Sequence, residues 1–224
     1  MYIYLRVAQM YLKKFNDLDA NNQKCRYVIK PGATNVLFVG GCRSFVYSIF
    51  FEELCKHNPY LKNAQYGIGA IAVHILQVCN LHKTPNLTSV IENADIIVCE
   101  QIRHYDMLNT SAECEQNMFN NFNIKPTCKV ISVPNLECQY ETTPESKLQN
   151  VTRLINHCKK YKFEKLANYI HENSHNIHLL FITTNHPSNS LFCRLMQELI
   201  ETHFDVAISH ELMSVMQRIR IFDA

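Results

Sequence analysis

The stretch NVLFVGGCRSFVYSIFFEEL, residues 35–54, decides the fold. Its first half is a short apolar, β-branched run closed by two glycines, the pattern of a strand buried on both faces of a parallel sheet. From Ser44 to His57 the pattern is helical, and it stops at Asn58-Pro59, where proline pushes the preceding residue out of the helical region. A strand, a tight turn and a helix in that order form the repeating piece of an α/β sheet. The turn brings Cys42, Arg43 and Ser44 to the mouth of the helix. There, backbone N–H groups and the positive end of the helix dipole favour a thiolate or an oxyanion.

The rest of the chain repeats the alternation. "CRYVIKPGATN" reads as a short strand and a Pro-Gly turn, and "QYGIGAIAVHILQVC" as part strand, part helix. A short helix reaches Asn93 and leads into the strand 96–99; "CKVISVPNL" is another buried strand, and "IHLLFITTN" the most continuous one. Helical patterns cover "SAECEQNMFNNF", one or two segments in 145–173 (apolar at Leu148, Val151, Leu154, Ile155 and Cys158), a segment opening at Pro187-Ser188, and "AISHELMSVMQRIRIF". The expected fold is a three-layer α/β/α sandwich with a mostly parallel sheet. Apolar positions at Tyr4, Val7, Ala8, Tyr11, Leu12 and Phe15 add an amphipathic helix in front. The expected organisation is an N-terminal helix and linker over 1–30 and one α/β domain over 31–224.

Composition narrows the function. With 47% hydrophobic and 19% charged residues, the 224-residue chain is an ordinary globular protein. A net charge of +2 gives no reason to expect nucleic acid as partner. Lys159, Lys160 and Lys162 read as a solvated helix face. No apolar run approaches the roughly 18–20 residues of a membrane span. The first residues include Arg6, Lys13 and Lys14 and lack a small-residue cleavage pattern, so a cytoplasmic protein is expected. Ten cysteines are spread along the chain and no pair has C-x-x-C spacing; most are expected to be reduced, buried and small.

In open α/β sheets ligands gather at the carboxyl ends of the strands. The segments at those ends are "GGCRS", "EQIRHYD", "PNLECQYE" and "TTNHPSNS". The first has no lysine of a phosphate-binding loop and no G-x-G-x-x-G spacing. The second offers Glu100, Gln101, Arg103, His104 and Tyr105 as substrate hydrogen-bonding groups, with Arg103 as an anion contact. His186, between the strongest strand and a helix, is placed to act as a general base. "HENSH", residues 171–175, matches the H-E-x-x-H zinc pattern formally, but Asn173 and Ser174 mark it as a helix C-terminus, and no metal is expected.

In order, these pieces resemble the WcbI-type polysaccharide biosynthesis family, acetyltransferases with an SGNH-hydrolase-like fold. Gly40-Gly41-Cys42-Arg43 stands for the family's G-N-C-Q, "ADIIVCEQI" for its "ADLVIEQ"-like strand, "KVISVPNLECQY" for its V-I-x-x-P-N/S strand, and Asn185-His186-Pro187-Ser188 for its N-H-P-S/T turn. The resemblance spans about residues 35–202. It implies coenzyme A or acetyl-CoA as co-substrate and a glycan hydroxyl as acceptor. Cys42 falls in the seat of the SGNH nucleophile and His186 in that of the base. Gly41, Arg43, Ser44, Gln101, Arg103 and Asn185 become the expected coenzyme-binding residues. This chain departs from the pattern at Gly41, at Arg43 and at Thr183, where SGNH hydrolases carry an aspartate. Two alternatives follow: a carbohydrate esterase or deacetylase, and a non-catalytic CoA- or glycan-binding module.

Overall fold

The structure is a computed structural model that describes residues 24–27, 32–41, 43–72, 85–101, 122–136, 144–183 and 186–217. The predicted helix over 1–20, and that over 111–122 apart from Phe122, lie outside them. The chain divides into two compact units, Met1–Ser132 and Val133–Ala224.

The first unit is built on strands β1 (Lys24–Tyr27), β2 (Thr34–Gly40), β3 (Tyr66–Ala72) and β4 (Ile96–Gln101), and the chain leaves it within β5 (Lys129–Pro134). The five strands form one sheet in the order β1-β3-β2-β4-β5. β2 runs parallel to both β3 and β4, with Leu37 opposite Gly69 on one side and Ile97 on the other, whereas β1 is an antiparallel edge strand on β3. The α/β class and the parallel sheet are as the alternation of elements predicts.

Both faces of β2 are covered, which explains its unbroken apolar run. Leu37 and Val39 point to a core shared with Ile97 and Cys99 of β4, Ile71 of β3, and Val90 and Ile91 of helix α3 (Pro85–Glu92). Phe38 points the other way, its ring centroid 5.7 Å from that of Phe51 in α1 (Arg43–His57). Helix α1 is buried nearly all round at its start and amphipathic only later. It ends where Asn58 caps α2 (Pro59–Asn63), accepting from the Tyr60 and Leu61 N–H groups.

At the amino end of the strands, Asp95 accepts the Asn35 N–H at 2.8 Å and the Lys125 ammonium at 2.7 Å, tying the start of β2 to the approach to β4. Burial by itself would raise the Asp95 pKa, but these donors outweigh it and hold the carboxyl below its ordinary 3.8. A depressed folded-state value means that the stabilisation is complete above the ordinary value and is lost as pH falls through the lower one. Stability is therefore expected to decline as pH drops below 3.8, and Asp95→Asn to flatten that part of the profile. Urea midpoints at stepped pH measure both.

The second unit is mainly helical: α4 (Pro144–Lys160), α5 (Glu164–Glu172), α6 (Ile177–Leu180), α7 (Asn189–His203) and α8 (His210–Met216), with a two-stranded antiparallel sheet of β6 (Phe181–Thr183) and β7 (His186–Pro187). Val151, Leu154 and Cys158 of α4, Leu166 and Ile170 of α5, and Leu195 and Leu199 of α7 are buried. Leu148, expected on that apolar stripe, is 67% exposed. It sits in the second turn of α4, and the shorter α5 covers only part of its partner's length. Helix α4 ends in a Schellman turn: Lys162 has φ 65°, its N–H donates to the Lys159 carbonyl, and the Phe163 N–H donates to the Cys158 carbonyl. The first N–H groups of α5 find a distant acceptor, since Lys165 and Leu166 donate to the buried Glu198 carboxylate of α7 at 2.9 and 2.8 Å.

The run IHLLFITTN does not form the continuous strand its composition suggests. Ile177–Leu180 makes a helical turn, and only Phe181–Thr183 is extended, pairing with β7. A short apolar run cannot be assigned to strand or helix by periodicity alone, and its His-Leu-Leu segment carries no β-branched residue. Among the described residues, no helix is long and apolar enough to cross a membrane.

Candidate functional site

The carboxyl ends of β2 and β4 lie side by side, with Val39 level with Cys99, so that the next residues, Gly40 and Glu100, are neighbours. What happens there follows from the two glycines. A Cβ at Gly40 would lie 2.6 Å from Glu100 Cβ and 2.9 Å from Glu100 Oε2, so the strands can hold the glutamate side chain only because position 40 has none. Glu100 leans across the strand end and accepts the Gly41 N–H at 3.0 Å with Oε2. Its other oxygen, Oε1, receives the Arg43 Nε–H at 2.6 Å and the Tyr47 hydroxyl at 3.4 Å. Side-chain exposure is 4% for Arg43 and 0% for Glu100, so this is a buried ion pair at the first turn of α1.

Ser44 closes the turn from inside. Its N–H donates to the Gly41 carbonyl at 3.0 Å. Its hydroxyl proton is shared between that carbonyl at 2.8 Å and the Ile71 carbonyl of β3 at 3.0 Å. The turn is thus held to three strands: β2 by continuity, β3 through Ser44 and β4 through Glu100.

The predicted site residues fall into four groups. Gly41, Arg43 and Ser44 come together at the β2–α1 turn, but the two side chains are buried and committed to contacts within the first unit. Gln101 is the last residue of β4, at the carboxyl end of that strand. His186 belongs to the second unit, where its backbone pairs with Thr183 in the small antiparallel sheet. Cys42, Arg103 and Asn185 lie outside the described residues.

The zinc-like pattern does not form a two-histidine face. Helix α5 ends at Glu172 with Asn173 as its cap, between His171 and His175, and both histidines are exposed. Among the described residues, no group of three His, Cys, Asp or Glu is placed to hold a metal ion. Cys99, Cys158 and Cys193 are buried, and burial pushes the Cys193 thiol up to about 12. Such a thiol is inert at neutral pH.

The organising residue that sequence reasoning undervalued is Glu100, taken there as one of several polar groups after β4. A signal was available: a carboxylate ending an otherwise apolar strand, with two glycines ending the strand beside it. Compared with models of known protein families and with curated proteins, the chain matches none.

Proposed function

We propose that the protein transfers an acyl group, with a CoA thioester as donor and a sugar hydroxyl as acceptor, and that the donor binds at the β2–α1 turn. The observation that carries this reading is the turn itself. It lies at the carboxyl end of a parallel sheet, beside β4, and is braced from two neighbouring strands in the way a reacting group requires. The four short motifs that resemble the WcbI-type family supply the chemistry. In the direct reaction the acceptor hydroxyl loses its proton to a general base, its oxygen bonds to the thioester carbon, and the C–S bond breaks. The departing CoA thiolate takes up the proton.

One feature of the turn revises the expected oxyanion site. The Gly41 N–H already donates to a carboxylate and does not face a substrate oxygen. The Gly41 N–H is therefore not the oxyanion donor. The same engagement of Gly41 and Arg43 favours, as a second reading, a module that binds CoA or glycan without turnover.

Acetyl-CoA mixed with a panel of sugars separates these. Acceptor-dependent release of free CoA thiol is expected, with a loss of about a hundredfold or more in His186→Ala. Binding of CoA by calorimetry with no release selects the non-catalytic module. Acetate freed from an O-acetylated sugar in the absence of CoA selects an esterase, and a chain that neither binds CoA nor acts on either substrate overturns the proposal.

A further inference from the structure

Helix α4 and the turn that ends it carry charge of one sign. Residues 146–163 hold four lysines and one arginine and no aspartate or glutamate, in a chain whose net charge is +2. Arg153, Lys159, Lys160 and Lys162 are all exposed. By the helical period, Arg153, Asn156 and Lys160 lie along one outer line of α4, and Leu148, Thr152 and Lys159 along another. The opposite side, with Val151, Leu154 and Cys158, is buried. We propose that the outer face of α4 is a peripheral docking surface for an anionic phospholipid bilayer. The proposal goes beyond acyl transfer and does not depend on it.

Two observations separate α4 from an ordinary solvated helix. A solvated face usually interleaves both signs, as α1 does where Lys56 meets Glu52 and Glu53 at 3.5 and 2.6 Å. Lys125 and Lys165 are likewise paired, with Asp95 and Glu201. Among the described residues, none forms an ion pair with Arg153, Lys159, Lys160 or Lys162. Lysines in a last turn also complement the helix dipole. That accounts for Lys159 and Lys160, but not for Arg153, about two turns earlier, or for Lys162, beyond the helix end.

The chemistry of these cations favours a lipid surface over other polyanions. Apart from Arg153 they are lysines, compact mobile charges without the planar fork that reads a phosphodiester with two hydrogen bonds. Tyr161, the aromatic ring among them, is already met by Lys160 Nζ at 5.3 Å and by the His157 ring at 5.0 Å, and is not open to stack a base. A cluster of four or more cations on an amphipathic helix is attracted to acidic headgroups. Because α4 keeps its apolar side in the second unit, contact is made by the cation tips and Leu148, without insertion of the helix.

Sedimentation of the full chain with vesicles tests this. The vesicles are phosphatidylcholine alone, or phosphatidylcholine with one-third phosphatidylserine, each at about 0.1 M and about 0.5 M salt. Binding is expected to the acidic vesicles alone, and to disappear at the higher salt. Each lysine near the headgroups contributes about fivefold in affinity, so Lys159→Gln, Lys160→Gln and Lys162→Gln together are expected to weaken binding about a hundredfold. The same three residues changed to arginine keep the charge and are expected to bind as wild type does. Lys56→Gln, Lys62→Gln and Lys165→Gln remove as much charge elsewhere and are expected to change binding by less than about threefold. Equal binding to neutral vesicles, no binding to acidic ones, or equal losses in the two glutamine triples overturns the proposal. Tighter binding to a single-stranded RNA than to the acidic vesicles, lost in the first triple, assigns the face to nucleic acid and overturns it too.

Discussion

Glu100→Ala is expected to lower the free energy of unfolding by about 3–5 kcal/mol, as removal of one member of a buried ion pair generally does. Three groups lose a partner at once. The Gly41 N–H loses its acceptor, the Tyr47 hydroxyl loses a contact, and the Arg43 guanidinium, 4% exposed, loses the carboxylate that compensates its charge. Arg43→Met is expected to cost a similar amount from the other side by leaving a buried carboxylate without its cation. The combination Arg43→Met with Glu100→Gln is expected to recover most of the loss. Its amide oxygen can still accept the Gly41 N–H, and no uncompensated charge stays buried. Urea denaturation of wild type, Arg43→Met, Glu100→Gln and their combination gives the coupling directly. Single-variant losses below about 1 kcal/mol, in the range of exposed pairs, would show that Glu100 is not the buried anchor described above.

The legible and illegible parts of this fold separate along one physical line. Strand β2, helix α1 and the break at Asn58-Pro59 could be read from residues 35–59 because local signals agree there: β-branched apolar residues, two glycines, a helical rhythm and a proline. The cap at Ser188 was legible for the same reason, its hydroxyl accepting the Leu191 N–H as a helix-starting serine should. The run after Asn176 was not, because a short apolar segment such as His178-Leu179-Leu180, without β-branching, suits a helical turn as well as a strand. Nor could any local pattern show that Glu198 caps a helix more than 30 residues earlier, at Lys165 and Leu166. The site shows the same division. The turn and its residue types were visible, but the pairing of Arg43 with Glu100, 57 residues apart, is a product of strand order. The family resemblance makes Arg43 a coenzyme-binding residue; tertiary structure gives it an internal carboxylate.

The second large effect is expected at Gly40. The two adjacent glycines look alike in sequence, yet they do different work, and alanine at each separates the roles. Neither has the positive φ that by itself requires glycine; among the described glycines only Gly32, with φ 76°, does. At Gly41 the nearest atom to an added Cβ is Glu100 Oε2 at 3.5 Å, an ordinary contact. Gly41→Ala is therefore expected to change stability by no more than about 1 kcal/mol, and the reduced freedom of the unfolded chain can make it slightly favourable. At Gly40 the added Cβ meets Glu100 Cβ at 2.6 Å, closer than two such carbons approach, and Cβ is anchored to the backbone and cannot swing aside. The strands β2 and β4 would have to part at their carboxyl ends, so Gly40→Ala is expected to cost about 1–3 kcal/mol, the usual range for overpacking. Truncating Glu100 to alanine leaves its Cβ in place, so that change should not rescue Gly40→Ala, whereas Glu100→Gly should relieve the clash. Denaturation midpoints of the two single alanine variants decide the matter. Equal losses at positions 40 and 41 would mean that the strand ends do not approach as closely as Gly40 permits, and the basis for placing Glu100 over the turn would go with it.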